Sequence, residues 1–188
     1  GMSGTYWSHI SVNECNLILD GNTTIVGDLT LYGTLDLKGH TLTVAGNILY
    51  NGGVLDINGG ILTVAGNILH QAGFLNINGG TLKISGDYNQ SIEGYAYSTG
   101  ILQMTNATDK VIIDGSFTID NYENDQPNQA RFTAGVLEVK GNFTQRSSAN
   151  PSVIYNYEWS DYNFIPSGTH KVILSGTGKQ VVSFENGG

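Results

Sequence analysis

The chain contains few of the residues whose abundance marks several other classes of protein. Only one of its 188 residues is a cysteine, Cys15, so the chain cannot form an internal disulfide and gives no indication of a redox compartment. Only three residues are proline and none precedes Pro127, so nothing in the first two thirds blocks strand pairing. No stretch approaches the roughly 20 consecutive apolar residues of a membrane-spanning helix, so we expect no membrane insertion.

Charge is also scarce, and it is mostly acidic. Charged residues make up 13% of the chain, and the formal net charge is -8. Because no basic run is present, the sequence argues against nucleic acid and anionic membranes as partners. No window of a dozen residues has a 3.6-residue apolar period, so the predicted fold class is all-β.

Glycine is abundant, with 26 residues, and it recurs at fixed positions of a twenty-residue repeat. Residues 33–50 read GTLDLKGHTLTVAGNILY. The block returns from Gly53 as GVLDINGGILTVAGNILH and from Gly73 as GFLNINGGTLKISGDYNQ. A fixed period of this length predicts a solenoid, in which each unit buries its apolar face against its neighbours.

Apolar and polar residues alternate within each repeat, as in strands with one buried face. If successive turns stack, equivalent residues form columns. Five columns are predicted to point inward: Leu35/Leu55/Leu75, Leu37/Ile57/Ile77, Leu42/Leu62/Leu82, Val44/Val64/Ile84 and Ile48/Ile68/Tyr88. Two are predicted to point outward: Asp36/Asp56/Asn76 and Thr43/Thr63/Lys83.

Glycine-containing corners separate these strands, and we expect Gly-Gly and Gly-Asn pairs to supply positive φ there. A glycine followed by Asp, Asn, Ser or Thr recurs after apolar strands throughout the chain. The pairs are Gly27-Asp28, Gly46-Asn47, Gly66-Asn67, Gly86-Asp87, Gly115-Ser116, Gly141-Asn142 and Gly176-Thr177. The later spacings are longer, which predicts loops inserted into turns that continue to stack.

The sequence therefore predicts a single domain over 1–188 that is a single-stranded parallel β-solenoid, with right-handed winding expected from the rule for parallel crossovers. Regular coils cover 22–90, and irregular coils with insertions at 91–100, 120–130 and 145–168 cover 91–188. Further strands are predicted at 110–114, 135–140 and 170–175. A β-sandwich is the alternative, because it also contains short strands at regular spacing.

Four segments together resemble a repeat module of very large secreted or surface-attached bacterial proteins, often called adhesin-like. They are 33–90, 104–111, 133–145 and 167–184, and the last two are the most specific. The resemblance implies a β-solenoid building block at the bacterial cell surface or outside the cell, and it supplies no catalytic residues. The start Gly1-Met2-Ser3-Gly4 and the end Gly187-Gly188 fit a fragment excised from a larger protein.

An aromatic segment within 153–165 is the candidate ligand-binding site. Flat rings beside hydrogen-bond acceptors are typical of sugar-binding platforms. Tyr95 and Tyr97, in an earlier insertion, could join it if both insertions emerge on one side. The alternative is that these aromatics pack against the solenoid. The candidate residues are Tyr155, Tyr157, Glu158, Trp159, Asp161 and Tyr162.

Two acidic clusters are weak candidates for cation binding, since calcium takes six to eight oxygen ligands. One is Asp36 stacked on Asp56, and the other is Asp120, Glu123 and Asp125. The sequence does not match the calcium-binding nonapeptide G-G-x-G-x-D. We therefore predict no cofactor and no metal, with a solvated surface as the simpler interpretation.

No constellation of catalytic residues is visible in the sequence. His9, His40, His70 and His170 are scattered, with His70 expected in the column of Tyr50 and Gln90, and no serine lies in a G-x-S-x-G context. The predicted function is a non-catalytic extracellular structural or adhesion module that binds glycans or surface proteins. A spacer without a ligand is the alternative, and a polysaccharide lyase or hydrolase is a remote one. We also expect end-to-end contacts, with the strand near 181–184 either frayed or paired with another molecule.

Overall fold

The computed structural model describes residues 1–91, 98–120, 131–146 and 164–184. Within these ranges the chain is all-β, and eighteen strands join in one sheet whose described pairings are all parallel. The predicted fold class is confirmed at this level. The three predicted insertions fall largely on 92–97, 121–130 and 147–163, which lie outside the described residues.

The strands form three rows, which the chain visits in the same order in every repeat. Row 1 contains β1 (Met2–Tyr6), the end of β3 (Asn16–Ile25), β6 (Thr41–Val44), β8 (Ile61–Val64), β10 (Thr81–Ile84), β13 (Lys110–Ile113), β15 (Val136–Val139) and β17 (Lys171–Leu174). Row 2 contains β2 (Ile10–Val12), β4 (Leu29–Leu31), the start of β7 (Ile48–Asp56), the start of β9 (Ile68–Asn76), β11 (Tyr88–Gln90), β14 (Phe117–Ile119), β16 (Phe143–Gln145) and β18 (Val182–Phe184). Row 3 contains the start of β3, β5 (Thr34–Asp36), the ends of β7 and β9, and β12 (Thr99–Gln103).

Equivalent residues of successive repeats are register partners, as the columns require. Leu35 pairs with Leu55, and Leu55 pairs with Leu75. All fifteen residues of the five predicted inward columns are buried, with exposed fractions of 1% or less. Each such side chain contributes roughly 1.5–3 kcal/mol when it leaves water. The inward columns are therefore confirmed, and they form the core of the regular repeats.

The recurring glycine-polar pairs form a hydrogen-bonded ladder along the corner between rows 1 and 2. At each step the side-chain oxygen of one repeat accepts the backbone N–H of its equivalent in the next, at 2.7 to 3.1 Å. This satisfies corner N–H groups that no strand partner reaches. We call this column of hydrogen-bonded side chains the corner ladder. Its members are Asp28, Asn47, Asn67, Asp87, Ser116 and Asn142.

The glycines that precede the ladder residues are needed for space, not for positive φ. A Cβ at Gly66 would overlap Oδ1 of Asn47 and lie 2.7 Å from the carbonyl oxygen of Gly46. The same obstruction recurs at Gly46, Gly86 and Gly115, and none of these glycines has positive φ. The expectation that Gly-Asn corners supply positive φ is therefore wrong, because what they require is room for the ladder side chain.

Positive φ occurs instead at Gly53 and Gly73, between rows 2 and 3, and at the turn between rows 3 and 1. Asn58 and Gly59 have φ of 45° and 73°, and the N–H of Gly60 donates to the carbonyl of Ile57 at 2.8 Å. Two left-handed central residues with this hydrogen bond correspond to a type I′ turn, which favours Asn-Gly. Lys38-Gly39 and Asn78-Gly79 have the same signs of φ.

The ladder changes at the last predicted pair, Gly176-Thr177. Oδ1 of Asn142 accepts the N–H of Val181, at 2.9 Å, so Val181 takes the place expected for Thr177. The Gln180 side chain fills the extra length: its Oε1 accepts the N–H of Gly176, and its Nε2 donates to the carbonyl of Val139. Thr177 is therefore not a ladder residue, because four additional residues intervene before the next strand.

Candidate functional site

The candidate ligand-binding residues Tyr155, Tyr157, Glu158, Trp159, Asp161 and Tyr162 lie outside the described part of the chain, as do Tyr95 and Tyr97. The structure describes the residues on either side of them. The segment 147–163 follows β16, and the chain returns to the described part at Phe164. The proposal of a sugar-binding platform therefore depends on where this segment is attached.

The three internal segments outside the described residues follow the same position in successive repeats. Gln90 pairs with Ile119, and Ile119 pairs with Gln145, so the positions just before the segments form one column at the end of row 2. The second and third segments also return side by side, because Phe132 pairs with Pro166. The described residues that precede the three segments therefore lie in one column.

The sequences of these three segments share one chemical character. They contain five acidic residues and no lysine or arginine, together with seven aromatic residues. The acidic residues are Glu93, Glu123, Asp125, Glu158 and Asp161, and the aromatic ones are Tyr95, Tyr97, Tyr122, Tyr155, Tyr157, Trp159 and Tyr162. Aromatic faces and carboxylate acceptors are therefore concentrated in segments that share one corner.

One aromatic at the edge of this cluster is a packing residue. Phe164 is 8% exposed, and its ring lies 4.7 Å from that of Phe132 and 5.1 Å from that of Phe143, centroid to centroid. Such distances are typical of favourable aromatic pairs. Phe164 thus anchors the end of the aromatic segment in the core, as the packing interpretation expects for this residue.

The acidic column of Asp36 and Asp56 is stacked as predicted, and its carboxylates accept hydrogen bonds from the chain. Asp36 and Asp56 are register partners on row 3, and both are half-buried. Oδ1 of Asp36 accepts the N–H of Lys38 at 2.7 Å and Nδ2 of Asn58 at 3.1 Å. Asp56 accepts Nδ2 of Asn78 in the same way, at 3.2 Å. These contacts give the two carboxylates a structural role in holding the type I′ turns.

The second acidic cluster is only partly described. Asp120 is 4% exposed, its N–H donates to the carbonyl of Gln90, and its carbonyl accepts the N–H of Ser98. Glu123 and Asp125 lie outside the described residues. Within the described ranges, no three His, Cys, Asp or Glu side chains come together as metal ligands would.

A buried polar cluster lies inside row 2, around the predicted column of Tyr50, His70 and Gln90. Tyr50, His70, Tyr88 and Gln90 are all 0% exposed. The rings of Tyr50 and His70 stack 4.5 Å apart at an interplanar angle of 5°, which confirms that His70 follows Tyr50 in one column. Nδ1 of His70 lies 2.7 Å from the hydroxyl of Tyr88, and Nε2 lies 3.0 Å from the carbonyl of Gly73.

These contacts determine which ring nitrogen of His70 carries the proton. A carbonyl only accepts, so Nε2 carries the proton and donates to Gly73, which leaves Nδ1 as an acceptor for the hydroxyl of Tyr88. Burial lowers the pKa of His70 to about 4, despite an opposing hydrogen bond to the Gly73 backbone. Burial likewise raises the pKa of Tyr88 well above its usual range. The cluster is neutral at physiological pH and enclosed, so it acts as polar packing.

The remaining predicted features also have defined places. His9 is exposed beside Thr30, with Nε2 3.1 Å from its hydroxyl, and His40 is half-buried at the end of the Lys38-Gly39 turn. Nδ1 of His170 lies 2.8 Å from the carbonyl of Ala134, and partial burial lowers its pKa. Cys15 is exposed as a free thiol. The structure does not bring the four histidines together.

Comparison with protein-family models, with curated proteins and with solved structures finds no match for this chain. The resemblance to surface-protein repeat modules therefore stays a prediction. The described residues include no long apolar helix of the kind that spans a bilayer.

Proposed function

We propose that this chain is a non-catalytic β-solenoid module of the bacterial cell surface or extracellular space, with the three rows as the faces of one continuous winding. Right-handed winding remains our prediction. The observation that supports the winding best is the corner ladder, because one side-chain column continues through six successive repeats. A sandwich built from antiparallel hairpins has no reason to place like residues directly on one another.

The role that we propose for the stack is to hold its three long segments on one corner. Because Gln90, Ile119 and Gln145 are register partners, the segments start about 4.8 Å apart per coil, the spacing of paired strands. Neighbouring segments with aromatic and acidic residues offer ring faces for stacking and acceptors for hydroxyl groups. We therefore propose glycans, free or on a surface protein, as the ligands of Tyr155, Tyr157, Glu158, Trp159, Asp161 and Tyr162.

A glycan-array screen tests the binding role. Trp159→Ala removes the largest ring of the proposed platform, and Trp7→Ala is a matched control because Trp7, the other tryptophan, is 81% exposed at the far end of the chain. We expect binding by the wild type and by Trp7→Ala, and its loss in Trp159→Ala. If the wild type binds no glycan, the platform is overturned and the stack functions as a spacer without a ligand.

A second measurement tests the non-catalytic role. We expect no release of reducing or unsaturated ends when the protein is incubated with any glycan that it binds. Cleavage at a rate that depends on enzyme concentration would favour the polysaccharide-cleaving alternative.

A further inference from the structure

Among the described residues, the first and last coils each expose strand edges. At the carboxyl end, β17 pairs with β15 and β18 pairs with β16, and among the described residues neither has a partner on its other side. The inward-facing side chains of this last coil are uncovered: Leu174, Val182 and Phe184 are 43%, 45% and 51% exposed. Their equivalents one coil earlier, Val139, Phe143 and Gln145, are buried. Apolar surface of this kind is typically covered by a partner.

The backbone at the two ends is complementary. At each junction between coils in row 1, the residue after the strand donates its N–H to the last inward residue of the preceding coil. Val26 donates to Tyr6 at 2.8 Å, and Ser175 donates to Val139 at 3.0 Å. By the same register, Trp7 holds the donor position at the amino end and Leu174 holds the acceptor position at the carboxyl end.

The side-chain columns also continue from one end to the other. Tyr6, Ile10 and Val12 begin the columns that end at Leu174, Val182 and Phe184. Tyr6 and Ile10 are half-buried at the amino end and pack on the core from one side. A second copy placed one coil further along would therefore set apolar residues on apolar residues at Tyr6 and Ile10, whereas Val12 is already buried at 2% exposed.

Charge distinguishes the two ends and favours their contact. Residues 1–21 contain two acidic side chains, Glu14 and Asp20, and no lysine or arginine. Residues 164–188 contain two basic side chains, Lys171 and Lys179, and one acidic side chain, Glu185. Opposite charges at the two ends favour head-to-tail contact, whereas like charges disfavour contact between two identical ends.

We propose that this chain binds a second copy of itself head to tail, with β17 and β18 of one copy pairing in parallel with β1 and β2 of the next. Such a contact uses two different surfaces and does not close on itself, so it generates linear oligomers that lengthen with concentration. The proposal rests on the stacked architecture proposed above. This self-association does not depend on whether the three long segments bind a glycan.

Two pairs of variants test the contact by sedimentation velocity. Ile10→Asp blocks the amino end and Val182→Asp blocks the carboxyl end. Each has a control with the same charge on the neighbouring outward-facing residue, Ser11→Asp and Ser183→Asp. We expect oligomers that lengthen with concentration for the wild type and both controls, and monomers for each blocked variant alone. Far-ultraviolet circular dichroism and melting temperature show whether each variant is folded.

Mixing the two blocked variants gives the sharpest result. The Ile10→Asp protein retains its carboxyl end and the Val182→Asp protein retains its amino end, so the mixture should form a 1:1 dimer and nothing larger. A wild type that stays monomeric at every concentration would overturn the contact while leaving the stack intact. Self-association of a folded blocked variant, or a mixture that stays monomeric, would also overturn the head-to-tail arrangement.

Discussion

The backbone N–H of Asn67 donates to Oδ1 of Asn47 at 2.9 Å, although the two residues are twenty positions apart. In turn, Oδ1 of Asn67 accepts the N–H of Asp87 at 2.8 Å. Each ladder residue therefore joins the repeat before it to the repeat after it. At the corner, a side-chain oxygen accepts the hydrogen bond between repeats that a backbone carbonyl accepts within the strands.

The first prediction concerns this ladder. Asn67→Ala removes the acceptor for Asp87 N–H and leaves the N–H of residue 67 bonded to Asn47. We expect a loss of about 1 kcal/mol in the free energy of unfolding, the net value of one such hydrogen bond. Urea unfolding measures it. Thr63→Ala, on the outward face of β8, is the control, and its free energy of unfolding should stay within about 0.5 kcal/mol of the wild type. Equal losses in the two variants would contradict a stabilising role for the ladder hydrogen bond.

The second prediction concerns the space beside the ladder. Gly66→Ala places a Cβ against Asn47 Oδ1 and 2.7 Å from the Gly46 carbonyl, so two coils must separate locally. We expect destabilisation of about 1–3 kcal/mol, as for overpacking. Gly178 has no heavy atom within 4 Å of its hypothetical Cβ and no positive φ. Gly178→Ala should therefore leave the melting temperature unchanged or slightly raised, and a similar fall in both variants would contradict the steric argument.

The third prediction concerns Lys38, which has φ of 47° at the place that Asn58 and Asn78 occupy in the next two turns. The left-handed conformation is less favourable for lysine than for asparagine, because the short Asn side chain tolerates it. Lys38→Asn should therefore stabilise the protein by about 0.5–1 kcal/mol. The same change at Lys179, whose φ is not positive, should give no gain. Equal gains at both sites would point to charge and not to the turn.

The fourth prediction concerns the pH dependence of stability. The pKa of His70 is about 4 in the folded protein and 6.5 when the ring is solvated, so the unfolded chain binds more protons between these values. Stability that depends on neutral His70 is complete above pH 6.5 and is lost as pH falls toward 4. Between pH 7 and pH 5 this loss is about 2 kcal/mol.

His70→Gln tests this dependence, because an amide cannot titrate and already occupies the neighbouring coil as Gln90. The variant should lose about 2 kcal/mol less than the wild type between pH 7 and pH 5, measured by urea unfolding at both values. His9→Gln, at an exposed histidine, should behave like the wild type. An unchanged slope in His70→Gln would show that another group causes the pH dependence.

The parts of the fold that the sequence predicted are those in which like residues stack on like. Leu35, Leu55 and Leu75 are identical, so their alternation with polar residues was enough to assign them to one buried column. The glycine-polar pairs were found for the same reason. Their interpretation was wrong because glycine can be required either for positive φ or for lack of room for a Cβ. The sequence does not distinguish the two, and the structure shows that Asn47 fills the space beside Gly66.

The sequence placed His70 in the column of Tyr50 and Gln90 and placed Tyr88 in an inward column, but it did not indicate the hydrogen bonds within this polar core. The contact between Nδ1 of His70 and the hydroxyl of Tyr88 joins two repeats, and no pattern of like residues predicts it because the two residues are not alike. Phe132 and Phe164 were not assigned to the core because the segments before them break the twenty-residue period. The proposed binding residues, from Tyr155 to Tyr162, lie outside the described residues and remain a prediction.

Disulfide trapping tests the in-register stack most directly. Thr43 and Thr63 are register partners on the outward face of row 1, and Thr43 and Lys83 are separated by one further strand. In a Cys15→Ser background, cysteines at 43 and 63 lie about 4.8 Å apart between Cα atoms, within disulfide range, whereas those at 43 and 83 lie about 9.6 Å apart, beyond it. The account predicts efficient cross-linking of the first pair and none of the second under mild oxidation. Equal cross-linking of both pairs, or of the second alone, would contradict it.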